Sequence, residues 1–228
     1  MNKNLVAIES EQEPSPFRLV SALGIAGLIS GIILVATYVY TNPLIIANKE
    51  TAMQEAIFRV LPGCTDYQTL ILAGNKLVPY EAPREGEQHK QEDKLIYSGF
   101  NEQKKFIGFA IPGSEPGFQD IITAIFGYDA TKEIIIGFEI LDSKETPGLG
   151  DKIFKDQDFQ MNFKNLSVLP EMMAVKKGER KNPNEVEAIT GATISSKAVV
   201  KLLNNTMDFW KVPVANYIKE GKYPISNE

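Results

Sequence analysis

The chain has 228 residues, 43% hydrophobic and 23% charged, a globular balance that excludes a wholly disordered, collagen-like or disulfide-stapled protein. Its net charge of −5 and pI near 5.2 provide no global basic field, so no nucleic-acid partner is expected. One cysteine, Cys64, and one histidine, His89, cannot make a CxxC pair, a thiolate-ligated iron–sulfur cluster or a His/Cys zinc site, so no metal site is expected and any redox chemistry needs an organic cofactor.

Residues 1–18 contain Pro14 and Pro16 and little apolar content, and they read as a flexible N-terminal arm. From Leu19 to Tyr40 the chain runs 22 residues without a charge. As a helix this stretch is about 33 Å long, enough for a hydrocarbon core of about 30 Å. It is longer than the apolar region of a cleavable signal and ends in Tyr38-Val39-Tyr40, so an uncleaved anchor with an interfacial aromatic end is expected. Lys3, Arg18 and the terminal amine on one side, against Lys49 and Arg59 on the other, give only a weak lean towards a cytoplasmic N-terminus. Residues 41–62 continue as a connecting helix, with Ile46, Met53, Ala56, Ile57 and Val60 at helical spacing until Leu61-Pro62-Gly63 stops it.

Residues 63–228 form the remaining domain. Glu81 to Lys94 holds eight charges and no large apolar side chain, a solvated loop in which His89 has no catalytic role. Strands are expected at Leu95–Phe100, Lys105–Ile111, Ile121–Tyr128 and Ile134–Leu141, the last two joined by Asp129-Ala130-Thr131-Lys132. Short links between consecutive strands imply a mainly antiparallel sheet. Ile194–Lys211 then places Ala198, Val199, Leu202, Leu203, Met207 and Trp210 on one helical face. Helices flanking consecutive strands make the fold class α+β.

Two short sequences are candidates for chemistry. Thr190-Gly191-Ala192-Thr193 precedes the amphipathic helix, where small residues and unpaired N–H groups suit a phosphate; alternatively, Thr190, Thr193 or Ser195 simply caps the helix. Lys176, Lys177, Arg180 and Lys181 lie upstream, either steering an anion or forming a solvated loop. Glu145-Thr146-Pro147-Gly148-Leu149-Gly150 follows the fourth strand and reads as a tight turn whose Leu149, held between glycines, is suited to rest on a flat ring.

Taken together, ETPGLG and TGAT in that order, the single anchor, and the segments TNPLIIANKETAMQEAIFRVLPG and EAITGATISSKAVV resemble the covalent-FMN subunits of the Rnf and Nqr membrane redox complexes, most of all the Rnf G subunit. Glu187 stands where the family motif often begins with Asp, retaining the charge. The resemblance implies an FMN-binding domain behind one transmembrane helix, with FMN joined by a phosphoester to Thr193. It implies that Thr190, Gly191 and Ala192 support the phosphate and that Glu145, Thr146, Pro147, Gly148, Leu149 and Gly150 meet the ring, Glu145 accepting from a ring or ribose donor. No side chain of the chain is then catalytic towards a substrate. The implied role is electron carriage in an ion-translocating ferredoxin:NAD oxidoreductase, with a flavin transferase for maturation and partner subunits that include a second covalent-FMN membrane protein. The implied location is a bacterial or archaeal cytoplasmic membrane, single-pass, with the domain extracytoplasmic. A component like the Nqr C subunit, in a Na⁺-translocating NADH:quinone oxidoreductase, and a non-redox anchored binding or scaffolding domain, are the alternatives.

Overall fold

The structure, a computed structural model, describes residues 15–80 and 94–221. The arm up to residue 14, and residues 81–93 with His89 and nearly all of the expected solvated loop, lie outside the described residues, as do 222–228. The chain divides into two compact units, Met1–Glu50 and Thr51–Glu228.

Helix α1 (Pro16–Val60) starts three residues before the expected span and continues beyond it to the stop at Leu61-Pro62-Gly63, where Gly63 takes a φ of 82°. In the first unit Leu23, Ile29, Ile33 and Leu34 are all exposed, as an apolar solvent would require. The Thr37 and Thr41 hydroxyls donate to the carbonyls of Ile33 and Thr37 at 2.8 and 2.9 Å, so these polar atoms are satisfied within the helix. Pro43 lies inside α1 and removes one backbone rung without ending it.

In the second unit β1 (Asp66–Ala73) and β2 (Lys76–Pro79) form a hairpin closed by Gly74-Asn75. Then come β3 (Leu95–Phe100), β4 (Phe106–Pro116), β5 (Ile121–Asp129) and β6 (Ile134–Asp142), matching the expected strands closely. Strand β4 runs on past its expected end at Ile111 because its pairing with β5 continues to Pro116, although the pairing with β3 finishes at Ala110. Pro112 and Pro116 therefore sit where β4 is bonded on one side only and a missing N–H is tolerated. Two short helices, α2 (Lys152–Lys155) and α3 (Gln157–Met161), lead to β7 (Leu166–Ser167), and a separate parallel pair joins β8 (Met173–Val175) to β9 (Glu185–Glu187). Helix α4 (Thr193–Lys219) is eight residues longer than expected at its C-terminal end, passing through Pro213.

The main sheet is antiparallel throughout, in the order β2-β1-β3-β4-β5-β6-β7. Alternation divides its side chains between two cores. Phe109, Ile111, Ala124 and Phe126 meet Val199, Leu202, Leu203 and Trp210 of α4 on one face, while Ala110 and Ile125 meet Ala56, Ile57, Val60 and Leu61 on the other. The second face is floored by Gly99, Gly108, Gly127 and Gly137 on four adjacent strands. A Cβ at Gly127 or Gly137 would stand 2.0 or 2.5 Å from the Val60 carbonyl oxygen, so the end of α1 rests on bare backbone. Arg59 adds an ion pair across this seat, its Nε donating to Glu139 Oε2 at 2.6 Å.

Candidate functional site

The loop after β6 folds for a local reason. Leu149 N–H donates to the Thr146 carbonyl at 3.2 Å, with Pro147 second and Gly148, at φ 77°, third in the turn. That is the residue pattern of a type II turn, in which only the third position needs a positive φ. Leu149 is delivered at the fourth position, 49% exposed. The segment before α4 repeats the device: Ala192 N–H donates to the Ile189 carbonyl at 3.0 Å, and Gly191 takes a φ of 85°. The two turns are neighbours, since a Cβ on Gly191 would lie 3.8 Å from Leu149 Cδ2.

Glu145 ties them to a third element. Its carboxylate is buried, with Oε1 accepting from the backbone N–H groups of Phe118 and Gln119 at 2.9 and 3.0 Å and Oε2 accepting from Ser195 Oγ at 2.5 Å. Burial raises its pKa, but hydrogen bonds from Ser195 and the N–H groups of Gln119, Asp120 and Phe118 outweigh that and leave it below the usual carboxylate range. The side chain is thus turned into the fold, with both oxygens engaged by the protein itself. Thr146 Oγ1 reinforces the junction by donating to Gln119 Oε1 at 3.1 Å.

Around this junction lies a cleft of about 350 Å³, bounded by Phe118, Thr146, Leu149, Gly191, Thr193 and Ile194, with the buried Glu145, Gly150, Ala192 and Ser195 completing its lining. Phe118, Leu149 and Ile194 are exposed apolar side chains, so its walls are hydrocarbon. Thr190 does not line it, and Pro147 and Gly148 shape the turn from outside. Thr190, Gly191 and Thr193 also border a second cleft of about 660 Å³ that carries Lys176, Lys177 and Lys197. Thr193 therefore stands between an apolar cleft and a basic one.

The helix-capping alternative fails here. The N-cap residue of α4 is Ala192 and makes no side-chain cap bond. Ser195 donates to Glu145, while Ser196 donates to the Ala192 carbonyl at 2.9 Å and accepts from Ile189 N–H at 3.0 Å. Thr190 and Thr193 remain exposed, and the first-turn N–H groups of a 27-residue helix have no side-chain partner. Such an end favours an anion, and the apolar cleft beside it favours a flat ring, so the residues present fit a flavin mononucleotide. Phe118 and Ile194 were not among the sequence candidates; the available signal was a large aromatic in the four-residue tip Gly117–Asp120 between two strands, where polar residues are usual.

Residues 117–208 match the FMN-binding domain family, a stretch that begins at this hairpin tip and includes both turns and much of α4. The chain is 30% identical over 157 residues to the G subunit of the Na(+)-translocating ferredoxin:NAD(+) oxidoreductase complex of Acetobacterium woodii, covering 67% of this chain and 70% of that one. The chain belongs to the G-subunit family of ion-translocating oxidoreductase complexes. It is also 25% identical over 197 residues to the G subunit of the ion-translocating oxidoreductase complex of Methanosarcina acetivorans, covering 84% and 93% of the two chains. NqrC from Shewanella oneidensis shares the fold, with a TM-score of 0.57 at 16% identity, covering 78% of this chain and all of that one. As a G-subunit protein the chain is an FMN-binding redox component of a multi-subunit membrane complex, and among the described residues α1 is the one helix long and apolar enough to span a bilayer. Family membership overturns the non-redox scaffolding alternative.

Proposed function

We propose that this protein carries electrons in an Rnf-type ferredoxin:NAD oxidoreductase through FMN joined by a phosphoester to Thr193 Oγ. One observation carries the attachment site: of the hydroxyls around the α4 N-terminus, Ser195 and Ser196 are buried and committed, while Thr193 is exposed at the edge of the apolar cleft beside uncapped N–H groups. Thr190 is exposed too but does not line the apolar cleft. The flavin supplies the redox chemistry. The protein supplies a tether at Thr193, positive charge for the phosphate from the helix end and Lys197, and apolar walls at Leu149 and Ile194 that exclude water. Gly191 and Ala192 allow close backbone approach, and Thr146, Pro147, Gly148 and Gly150 set the path that presents Leu149.

The reading extends to maturation by a flavin transferase, to a second covalent-FMN membrane protein of the complex as electron partner, and to a domain on the extracytoplasmic side of a cytoplasmic membrane. The ferredoxin:NAD assignment is favoured over the quinone-reducing one because the Acetobacterium relative, a G subunit of a ferredoxin:NAD(+) oxidoreductase, is 30% identical, whereas NqrC shares the fold at 16%. The test is Thr193→Ala expressed in the native membrane. Flavin fluorescence should vanish from the denatured band and the intact mass should lose the FMN adduct. Retained covalent flavin moves the attachment elsewhere, with Thr190→Ala as the next variant.

A further inference from the structure

A buried carboxylate is costly unless donors surround it, and here the fold encloses one to hold the tip of a hairpin. Glu145 Oε1 receives two successive backbone N–H groups from that tip, and Oε2 receives Ser195 from the first turn of α4. Two glycines give it room: a Cβ on Gly117 would stand 2.4 Å from Oε1, and one on Gly150 would stand 2.7 Å from Oε2. The residue whose backbone is clamped is Phe118, whose ring is 65% exposed. An exposed aromatic in a rigidly fixed turn contributes little to the core. It borders the same cleft as Leu149 and Ile194, with Thr193 on the rim.

We propose that Phe118 is a flavin-contact residue, its ring forming one wall of the slot for the isoalloxazine, and that Glu145 is the positioning residue that holds it there. This rests on flavin being anchored at Thr193. Glu145 then acts through Phe118 and Ser195, its carboxylate making no bond to the flavin.

The full-length protein, extracted from its membrane, tests the idea in two arms. In Phe118→Ala the covalent flavin should remain on the denatured band, while iodide quenching of the native flavin rises at least twofold and the visible absorbance bands shift. Because Phe118 is mostly exposed, the variant should melt close to wild type. In the flavin-free Thr193→Ala background, hydrogen exchange at the Phe118 and Gln119 amides should accelerate at least tenfold on adding Glu145→Ala. Glu145→Gln should restore slow exchange, because its amide oxygen accepts from the same N–H groups and its amide nitrogen donates to Ser195 Oγ. Covalent flavin in Phe118→Ala with unchanged quenching and spectrum overturns the contact and leaves the Thr193 attachment standing. Unchanged exchange in Glu145→Ala overturns the positioning role. Covalent flavin persisting in Thr193→Ala instead overturns the anchoring reading, a result the quenching arm cannot mimic.

Discussion

Placing a methyl group on the glycine floor beneath α1 should unseat the helix, and the cost should follow the atom each methyl meets. In Gly127→Ala the new Cβ would lie 2.0 Å from the Val60 carbonyl oxygen and 2.9 Å from its carbon. A carbon–oxygen contact needs about 3.3 Å, so a backbone carbonyl must retreat by more than about 1 Å. It cannot do so alone, because Ile57, Val60 and Leu61 around it are fully packed. Overpacking of this kind costs about 1–3 kcal/mol, and the stiffer unfolded chain returns about 0.4–1 kcal/mol. A net loss of about 1–2 kcal/mol corresponds to a fall of about 2–8 °C in Tm for a unit of this size. Gly137→Ala meets the same oxygen at 2.5 Å and should cost somewhat less. Gly99→Ala meets Leu61 Cδ1 and Cys64 Sγ at 2.5 and 2.9 Å, side-chain ends that can rotate, so it should cost under about 1 kcal/mol. Thermal unfolding of the full chain in detergent, followed by circular dichroism, gives the order. A Gly127→Ala protein that melts with wild type, or a Gly99→Ala protein that melts below it, refutes the reasoning.

Two further outcomes can be measured directly. Glu145 has a folded pKa below its unfolded value, so its stabilisation is complete above about pH 4.3 and is lost as pH falls through the lowered folded value. Wild type should therefore lose stability on acidification more steeply than Glu145→Gln, by up to about 1.4 kcal/mol per pH unit, and parallel melting curves from about pH 6 to pH 3 would remove the carboxylate from that role. For orientation, Lys132→Cys on the exposed β5–β6 turn, in a Cys64→Ser background, should react with a membrane-impermeant maleimide in intact cells. Protection there, relieved on lysis, would place the domain in the cytoplasm.

The anchor, the four central strands and α4 were legible because each carries its own periodicity: an uncharged apolar run, period-two alternation, and a 3.6-residue stripe ending in Met207 and Trp210. Hairpin β1–β2 carries a signal too. Thr69-Leu70-Ile71-Leu72 followed by Gly74-Asn75 is a two-residue hairpin pattern, weaker than the longer apolar strands downstream. The short pieces α2, α3, β7, β8 and β9 span two to five residues, too few for any periodicity to register. At the site, local chemistry found both turns but misjudged what the polar side chains do. Thr190, Thr193 and Ser195 are good cap formers in isolation, yet Ser195 is drawn off by a carboxylate 50 positions away in sequence. The same carboxylate reaches 26 and 27 residues back to Gln119 and Phe118. Such bonds exist only once the sheet has folded, so no local pattern announces them, and Phe118 went unseen with them.

The two glycine-dependent features serve different ends of the same strand. Gly127 supports α1 near the far end of β5, while the Glu145 clamp grips the hairpin tip just before Ile121. Gly127 lies seven residue steps beyond Asp120, about 23 Å at 3.3 Å per residue. They also lie against different cores, Gly127 under Val60 on one face and Ser195 at the head of α4, which packs on the other. Sites that far apart without shared partners behave independently to within about 0.5 kcal/mol. Gly127→Ala should therefore lower Tm while leaving flavin quenching and absorbance unchanged, and Phe118→Ala should do the reverse. In the double variant the two effects should simply superpose. A shift in the flavin spectrum caused by Gly127→Ala alone would mean that strain at the α1 seat travels along β5 to the cofactor cleft, linking how the helix end is held to the environment of the flavin.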